Sequence, residues 1–243
     1  ILINLFLLSS NIVLKLSITD ALINKDNHSL GIQISAYLFG TLIIIGSVLA
    51  GSGEQNIWIT LMWIGIYGVG GILFLNLFSL WGLQIIISKE CLKAIKSGNI
   101  AAGIVSAGGY ISTSLIIAAT VAGDSKGTWD SAVIFFFIGQ ISFIIITFIF
   151  RLLTAYNDNE EILKGNMAAA LSYAGLMIAV GLIVGHSIEG DFVDYPTSLI
   201  AFGKALLVVI ALYPIRQWVI QGLLLGGGFT LYGGRLDKEI KED

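Results

Sequence analysis

The chain alternates between long, mostly apolar runs without charge and short polar clusters. Five runs are uncharged, and they lie between residues 26 and 54, 54 and 89, 96 and 124, 130 and 151, and 164 and 189. Each is long enough for the ~20 helical residues that cross a hydrocarbon core of ~30 Å. Strands of a membrane barrel would instead alternate over ~10 residues, and residues 133–150 do not alternate. The pattern therefore predicts transmembrane helices.

We predict an all-α, polytopic transmembrane bundle of about seven spans, with the whole of 1–243 forming a single membrane domain. The spans are placed near residues 1–16, 30–51, 57–80, 99–122, 131–153, 165–187 and 197–222. Composition supports this class, because 56% of the residues are hydrophobic and 12% are charged. The sequence begins with Ile1 and ends on residues resembling its internal linkers, so we expect it to be truncated at both ends.

The cations gather at one set of predicted helix ends. Only Lys126 lies in the opposite loops, which carry the acidic residues Glu54, Asp124 and Asp130 and three more near residue 191. By the positive-inside rule, the Lys/Arg-rich linkers are expected to be cytoplasmic and the acidic loops outside. The formal net charge of -3 also argues against nucleic-acid binding, which needs a basic surface.

The sequence repeats internally. Residues 98–124 laid over 165–191 give eleven identities in 27 positions without a gap, and several of these are Gly, Asn or Asp. A weaker copy lies 72 residues upstream of the first. Because two spans return the chain to the same side, the units are predicted to be parallel-topology helix pairs. Their approximate limits are 27–88, 98–155 and 165–222.

A Gly-Asn-x-Ala-Ala motif opens the first helix of the second and third units. Asn is a strong N-cap, and the small residues that follow would let helices pack closely in lipid. The motif and cap positions are Asn27, Asn99, Asn166, Gly98 and Gly165, and the packing positions are Ala102, Gly103, Ala107, Gly108, Ala169, Ala174 and Gly175. An alternative is that the Asn residues line a polar vestibule.

These paired motifs, with Ala-Gly seven residues into each helix and Gly-Asp closing it, resemble the bacterial YjfL-type membrane proteins, domain-of-unknown-function family 350. The similarity is clearest over residues 88–191, and Asp26 replaces the motif Gly in the first unit. The resemblance implies a multi-pass protein of the bacterial inner membrane, built from repeated helix pairs. It implies no activity, cofactor or catalytic residue.

Lys204 is the one charged residue deep inside a predicted span. An ammonium there costs roughly 3 kcal/mol on insertion scales, so we expect Lys204 to face the bundle interior or water. It is a candidate pathway residue together with Gln140, its equivalent in the previous unit, and Asn76. Alternatively, Gln140 and Asn76 are structural and form interhelical hydrogen bonds.

The sequence lacks recognisable catalytic chemistry. The spans contain no Asp or Glu that could serve a retinal Schiff base or a proton relay, and the two histidines lie near opposite span ends. The single cysteine, Cys91, has no neighbouring Cys or His for a metal site. We therefore expect no enzymatic activity, no metal and no cofactor.

Two functions from different classes remain. The first is a structural or assembly component of a membrane complex, embedded in the lipid bilayer as a homo-oligomer or as a subunit of a larger assembly. The alternative is a channel or facilitator for ions or small solutes, with a path near Lys204 and Gln140. We favour assembly, because the predicted interior offers few polar groups to replace the hydration shell of an ion.

Overall fold

The structure is a computed structural model that describes residues 18–51, 56–86, 88–122, 129–189 and 194–242, the side chains at 79, 80, 83 and 129 excepted. Throughout these residues the regular structure is helical, which confirms the all-α class. The predicted span near 1–16 lies outside the described residues.

The helices follow one another in a recurring order of one short helix and two long ones. The short helices are α1 (Ile18–Ile23), α4 (Lys89–Lys96), α7 (Asp158–Lys164) and α10 (Arg235–Glu242). The first long helices are α2 (His28–Ala50), α5 (Ile100–Ala122) and α8 (Met167–Ile188), and the second long helices are α3 (Ile57–Ile86), α6 (Trp129–Arg151) and α9 (Tyr195–Gln217). Each predicted unit thus contains one pair of long helices, while its exact limits stay a prediction.

The six long helices are each long and apolar enough to cross a bilayer. Their lengths run from 22 to 30 residues, so each spans at least the ~30 Å of a hydrocarbon core at ~1.5 Å per residue. Large apolar side chains cover their outer surfaces, as on α9, where Leu207 is 66% exposed. Such an apolar surface is favourable in contact with lipid, so the chain is a multi-pass membrane protein.

The first helices α2, α5 and α8 pack side by side in a row, and the second helices flank it. Helices α2 and α5 are parallel, because Gly103 of α5 abuts Ser29 near the start of α2, while Ser47 near the end of α2 donates to the carbonyl of Ala118. Helices α5 and α8 are parallel as well, because Gly108 abuts Ala174 towards their starts and Gly185 abuts the carbonyl of Leu115 towards their ends. Asn27, Asn99 and Asn166 therefore lie at one end of the bundle, which we call the motif side.

α5 is the centre of the row, with 15 of its 23 residues buried. α9 lies at the edge and buries only a narrow strip around Phe202, Val209 and Tyr213. Pro214 interrupts the α9 hydrogen-bond ladder because it has no backbone N–H, and the chain continues from Trp218 to Leu224 as a wider π-helical turn. Position along the row thus decides how much of each helix is enclosed.

Candidate functional site

The three motif asparagines form equivalent N-caps. The side-chain oxygens of Asn27, Asn99 and Asn166 accept from the backbone amides three residues later, at 3.0, 3.0 and 2.8 Å. Those amides belong to the first turns of α2, α5 and α8, where they have no partner within the helix. Each Asn therefore satisfies an otherwise orphaned donor at the point where the chain enters the membrane.

The amide group of each motif Asn reaches the short helix that follows its own unit. Nδ2 of Asn27 donates to the carbonyls of Ile95 and Lys96, at 3.0 and 3.1 Å, at the end of α4. Nδ2 of Asn99 donates to Ile162 and Leu163 at the end of α7, again at 3.0 and 3.1 Å. The equivalent atom of Asn166 donates to Ile240 of α10 at 2.6 Å. One side chain thus caps its own span and holds the next short helix.

The residue before each motif Asn lies in the left-handed region of backbone conformation. Gly98 has φ +89° and Gly165 has φ +93°, and both end a short helix. Asp26, which stands in place of Gly in the first unit, also has positive φ, at 48°. Glycine adopts this conformation without a Cβ clash, which explains the Gly-Asn order of the motif.

The predicted small-residue face packs mainly between α5 and its two neighbours. A Cβ added to Gly103 would lie 2.6 Å from Ser29 Oγ, and one added to Gly108 would lie 2.8 Å from the Cα of Ala174. Ala102 and Ala169 are fully buried, and Ala107 is partly buried. Gly175 differs, because it is exposed and a Cβ there would meet no atom within 4 Å.

Two candidate polar residues lie in the interior. Asn76 donates to the Tyr37 hydroxyl at 3.2 Å and to the carbonyl of Ile72 at 3.0 Å. Gln140 donates from Nε2 to the hydroxyl of Thr113 at 3.3 Å, whereas its Oε1 has no hydrogen-bond partner among the described residues. Both side chains therefore join helices, α3 to α2 and α6 to α5.

Lys204 does not lie with these residues; of the two surroundings expected for it, the interior of the single chain is corrected by its exposure, and water stays a prediction. It is exposed on the outer surface of α9, about 14 Å along the helix from Tyr195. Exposed apolar side chains flank it one turn away, with Ile200 59% and Val208 55% exposed. The reason is its place in the row. α6 is enclosed by α3, α5 and α8, whereas α9 packs chiefly on α8.

An ion-paired cluster on the motif side was not recognised from the sequence. Arg151, at the end of α6, pairs with Asp158 at 3.2 Å and donates to the carbonyl of Ile86 at the end of α3. Its guanidinium carbon lies 4.9 Å from the ring centroid of Tyr173. Desolvation raises the pKa of the Asp158 carboxyl, and Arg151 opposes that shift. The helices α3, α6, α7 and α8 are thereby joined around one charge.

A small pocket adjoins this cluster and extends to α10. Its polar lining includes Arg151, Tyr156, Arg216 and Asp237. Asp237 accepts from the backbone amide of Ala155 at 2.8 Å, and burial raises the pKa of its carboxyl. The sequence signal was an Arg in the last turn of each of two successive second helices, Arg151 and Arg216, with Asp158 and Asp237 in the short helices that follow, but their spacing does not show which of them meet.

The described residues offer no grouping of three His, Cys, Asp or Glu side chains that could bind a metal ion. Cys91 is buried in α4, and burial raises the pKa of its thiol to about 12. A thiol with that pKa is protonated at neutral pH and is a poor nucleophile.

The parallel first helices, the flanking second helices and the Asn side chains that join each first helix to the next short helix define a multi-pass helical membrane protein built from repeated units. The family model for Domain of Unknown Function (DUF350) matches residues 1–121 and again 125–243. The chain therefore belongs to the DUF350 family, and the predicted resemblance is confirmed. The boundary between the two copies falls between α5 and α6. No curated protein and no solved structure matches the sequence significantly.

Proposed function

We propose that this DUF350 chain is a structural or assembly component of a membrane complex, without enzymatic activity, and that the α8 end of its helix row receives a further transmembrane helix. One observation carries the proposal. The face of α8 that is equivalent to the packed face of α5 has no helix against it among the described residues. The helix that fills it comes from a second copy of the chain or from another subunit; the alternative occupant, a further repeat of the same chain beyond residue 243, would leave the protein monomeric.

The equivalence follows from the sequence repeat and from the α5–α8 contact. α5 meets α8 through Gly108, Ser112 and the carbonyl of Leu115, with a Cβ on Gly181 of α8 only 2.6 Å from the Cβ of Ser112. An offset of 67 residues carries this face onto α8. The equivalent pairs are Gly108 and Gly175, Ser112 and Ala179, and Leu115 and Leu182.

The α8 face is open along its length. Gly175 and Ala179 are exposed, and Leu182 is 56% exposed. Gly175 and Ala179 are four residues apart, which places two small side chains on one face of the helix. In lipid, where apolar burial does not itself drive association, such faces allow close van der Waals contact between helices.

The neighbouring helix α9 supports the same conclusion. In the second unit, a Cβ on Gly139 of α6 would lie 2.5 Å from Ile188 of α8, so the following first helix packs against that glycine. The equivalent residue in α9 is Gly203, and a Cβ there would meet no atom within 4 Å. The α8 face and Gly203 together form an unfilled copy of an interface that the chain already uses.

The decisive experiment compares two exposed helical glycines. A Cβ at Gly175 or at Gly65 of α3 would meet no atom within 4 Å, so we expect a single chain to accommodate both Gly175→Leu and Gly65→Leu. We expect native mass measurement in mild detergent to show an assembly that Gly175→Leu dissociates and Gly65→Leu preserves. A monomeric wild-type chain, or equal behaviour of the two variants, would contradict the proposal.

Lys204 provides a second argument for assembly. Its ammonium group lies on the outer surface near the middle of a span, where lipid contact costs roughly 3 kcal/mol unless the side chain reaches water or a polar partner. A covering helix with a hydroxyl or amide at that depth would supply such a partner. Lys204→Met should then weaken assembly, whereas Leu207→Met on the same exposed face should not.

The channel or facilitator hypothesis draws on a different observation, the unpartnered Oε1 of Gln140 in the buried core. Lys204 lies on the exterior of the chain, so a conducting path that includes both residues would have to run between subunits. Ion flux into liposomes tests this alternative. Flux that Gln140→Leu abolishes and Leu207→Met leaves intact would favour conduction over assembly alone.

We also propose that the membrane is the bacterial inner membrane, with the motif side cytoplasmic. The support is the clustering of Lys25, Lys93, Lys96 and Lys164 on that side. Cys91 is buried, so a cysteine introduced at exposed Ser97 on the motif side, or at exposed Asn56 on the opposite side, can be labelled selectively. In intact cells, an impermeant thiol reagent should label only the cysteine at position 56.

A further inference from the structure

A group of buried polar atoms lies between α2 and α5, separate from the open α8 face. Gln33 of α2 is 1% exposed, and Ser106 and Tyr110 of α5 are fully buried. Both amide atoms of Gln33 and both hydroxyl oxygens lack a hydrogen-bond partner among the described residues. Native proteins pair nearly all buried polar atoms, so four in one group indicate a shared missing partner.

The packing register brings the three side chains together. Ser29 of α2 abuts Gly103 of α5, and Gly40 abuts Ser114, so Gln33 lies level with the turn of α5 that carries Ser106. Tyr110 follows Ser106 by four residues and shares its helix face. The Gln33 amide is a neighbour of the Tyr110 hydroxyl, although no hydrogen bond of acceptable geometry joins them.

The chemistry of these atoms selects the ligand. Gln33 offers two donors and an acceptor, while Ser106 and Tyr110 each offer a hydroxyl that donates and accepts. No carboxylate is present, and three neutral oxygens are too few to replace the hydration shell of a metal cation, which needs about six. A water molecule makes two to four hydrogen bonds to such groups and is neutral.

We propose that the Gln33, Ser106 and Tyr110 side chains form a water-binding site inside the membrane-spanning core. The bound water bridges α2 to α5 at a depth where the helices themselves leave these atoms unpaired. It lies about 9 Å from the start of α5, at 1.5 Å per residue, and therefore within the bilayer rather than at its surface. The site does not depend on the proposed assembly.

The test is radiolytic hydroxyl-radical labelling of the intact chain in nanodiscs, because radicals generated from bound water oxidise the side chains beside it. Tyr110 should be oxidised despite its burial, whereas Phe143, an aromatic residue that is 1% exposed in an apolar part of the core, should not. Brief mixing with ¹⁸O water before exposure should label exposed Tyr232 fully and Tyr110 only in part, since bound water exchanges slowly.

Two variants make the outcome specific. Ser106→Ala removes one of the polar atoms that bind the water, with a minimal change in volume, and Gln33→Leu removes two such atoms, the amide oxygen and nitrogen. Each variant should reduce oxidation of Tyr110 several-fold and leave that of Tyr232 unchanged, while continued protection of buried Phe143 reports that the chain is folded. The proposal is overturned if Tyr110 is oxidised no faster than Phe143, or if Ser106→Ala leaves its oxidation unchanged.

Discussion

Replacing Asn99 should cost more stability than the loss of an ordinary helix cap, because this side chain bonds two helices, α5 and α7. Asn99→Ala removes the cap bond to the Ala102 amide and both amide bonds to the end of α7. A lost N-cap costs ~1 kcal/mol, and two net hydrogen bonds contribute ~2 kcal/mol. The expected decrease in the free energy of unfolding is therefore about 3 kcal/mol.

Asn99→Asp separates the two roles. The carboxylate can still accept from the Ala102 amide, but it presents an oxygen instead of a donor to the carbonyls of Ile162 and Leu163. We expect a loss of about 2 kcal/mol at neutral pH, corresponding to the two missing amide bonds. Part of it should return at acidic pH, where a protonated carboxyl group donates again.

The measurement is reversible unfolding in mixed micelles, followed by circular dichroism. Asn157→Ala is the matched control, because the Asn157 side chain donates to Glu160 and accepts from the Asn159 amide, both within the first turn of α7. It should cost only the ~1 kcal/mol of a local cap. If Asn99→Ala costs no more than Asn157→Ala, or if Asn99→Asp is as stable as wild type, the linking role is refuted.

Three further predictions concern backbone conformation, helix contact and pH. Asp26 and Gly165 both have positive φ, a conformation that favours glycine. Asp26→Gly should therefore raise the free energy of unfolding by about 1 kcal/mol, and Gly165→Ala should lower it by about 1 kcal/mol. Unfolding of each variant, compared with wild type, checks both expectations. Gly181→Ala should cost ~1–3 kcal/mol in the same assay through overpacking against Ser112, and a neutral result would show that α5 and α8 adjust freely. Burial raises the pKa of Asp237, so its contribution to stability is present below the ordinary carboxyl pKa and lost as pH rises through the raised value. Asp237→Asn should therefore raise Tm at pH 7 more than at pH 4, and an equal shift at both pH values would contradict the assignment.

The repeat made the local structure at the start of each first helix predictable. An N-cap needs only a side-chain oxygen and an amide three residues later, so the positions of Asn27, Asn99 and Asn166 already implied capping. The partner of the other side-chain atom was not predictable. Nδ2 of Asn99 bonds Ile162, 63 residues away, and this contact depends on where the next short helix lies against the row.

Gln140 and Lys204 also show what the repeat predicts and what depends on packing. They occupy equivalent places in successive units, and sequence reasoning assigned both to one candidate pathway. In the structure, Gln140 is 2% exposed between helices, whereas Lys204 lies on the outer surface. The difference comes from the neighbours of each second helix, because α6 is enclosed on several sides and α9 packs chiefly on α8.

The sequence by itself determined the helical membrane class, the positions of the long helices and the recurring Asn caps. These features depend on hydrophobic runs and on capping residues, which are local signals along the chain. Only the tertiary structure decided which residues meet across units, as with Arg151 and Ile86, and which copy of a repeated face is covered. Such contacts depend on packing register and on place in the row, which a periodic sequence does not specify.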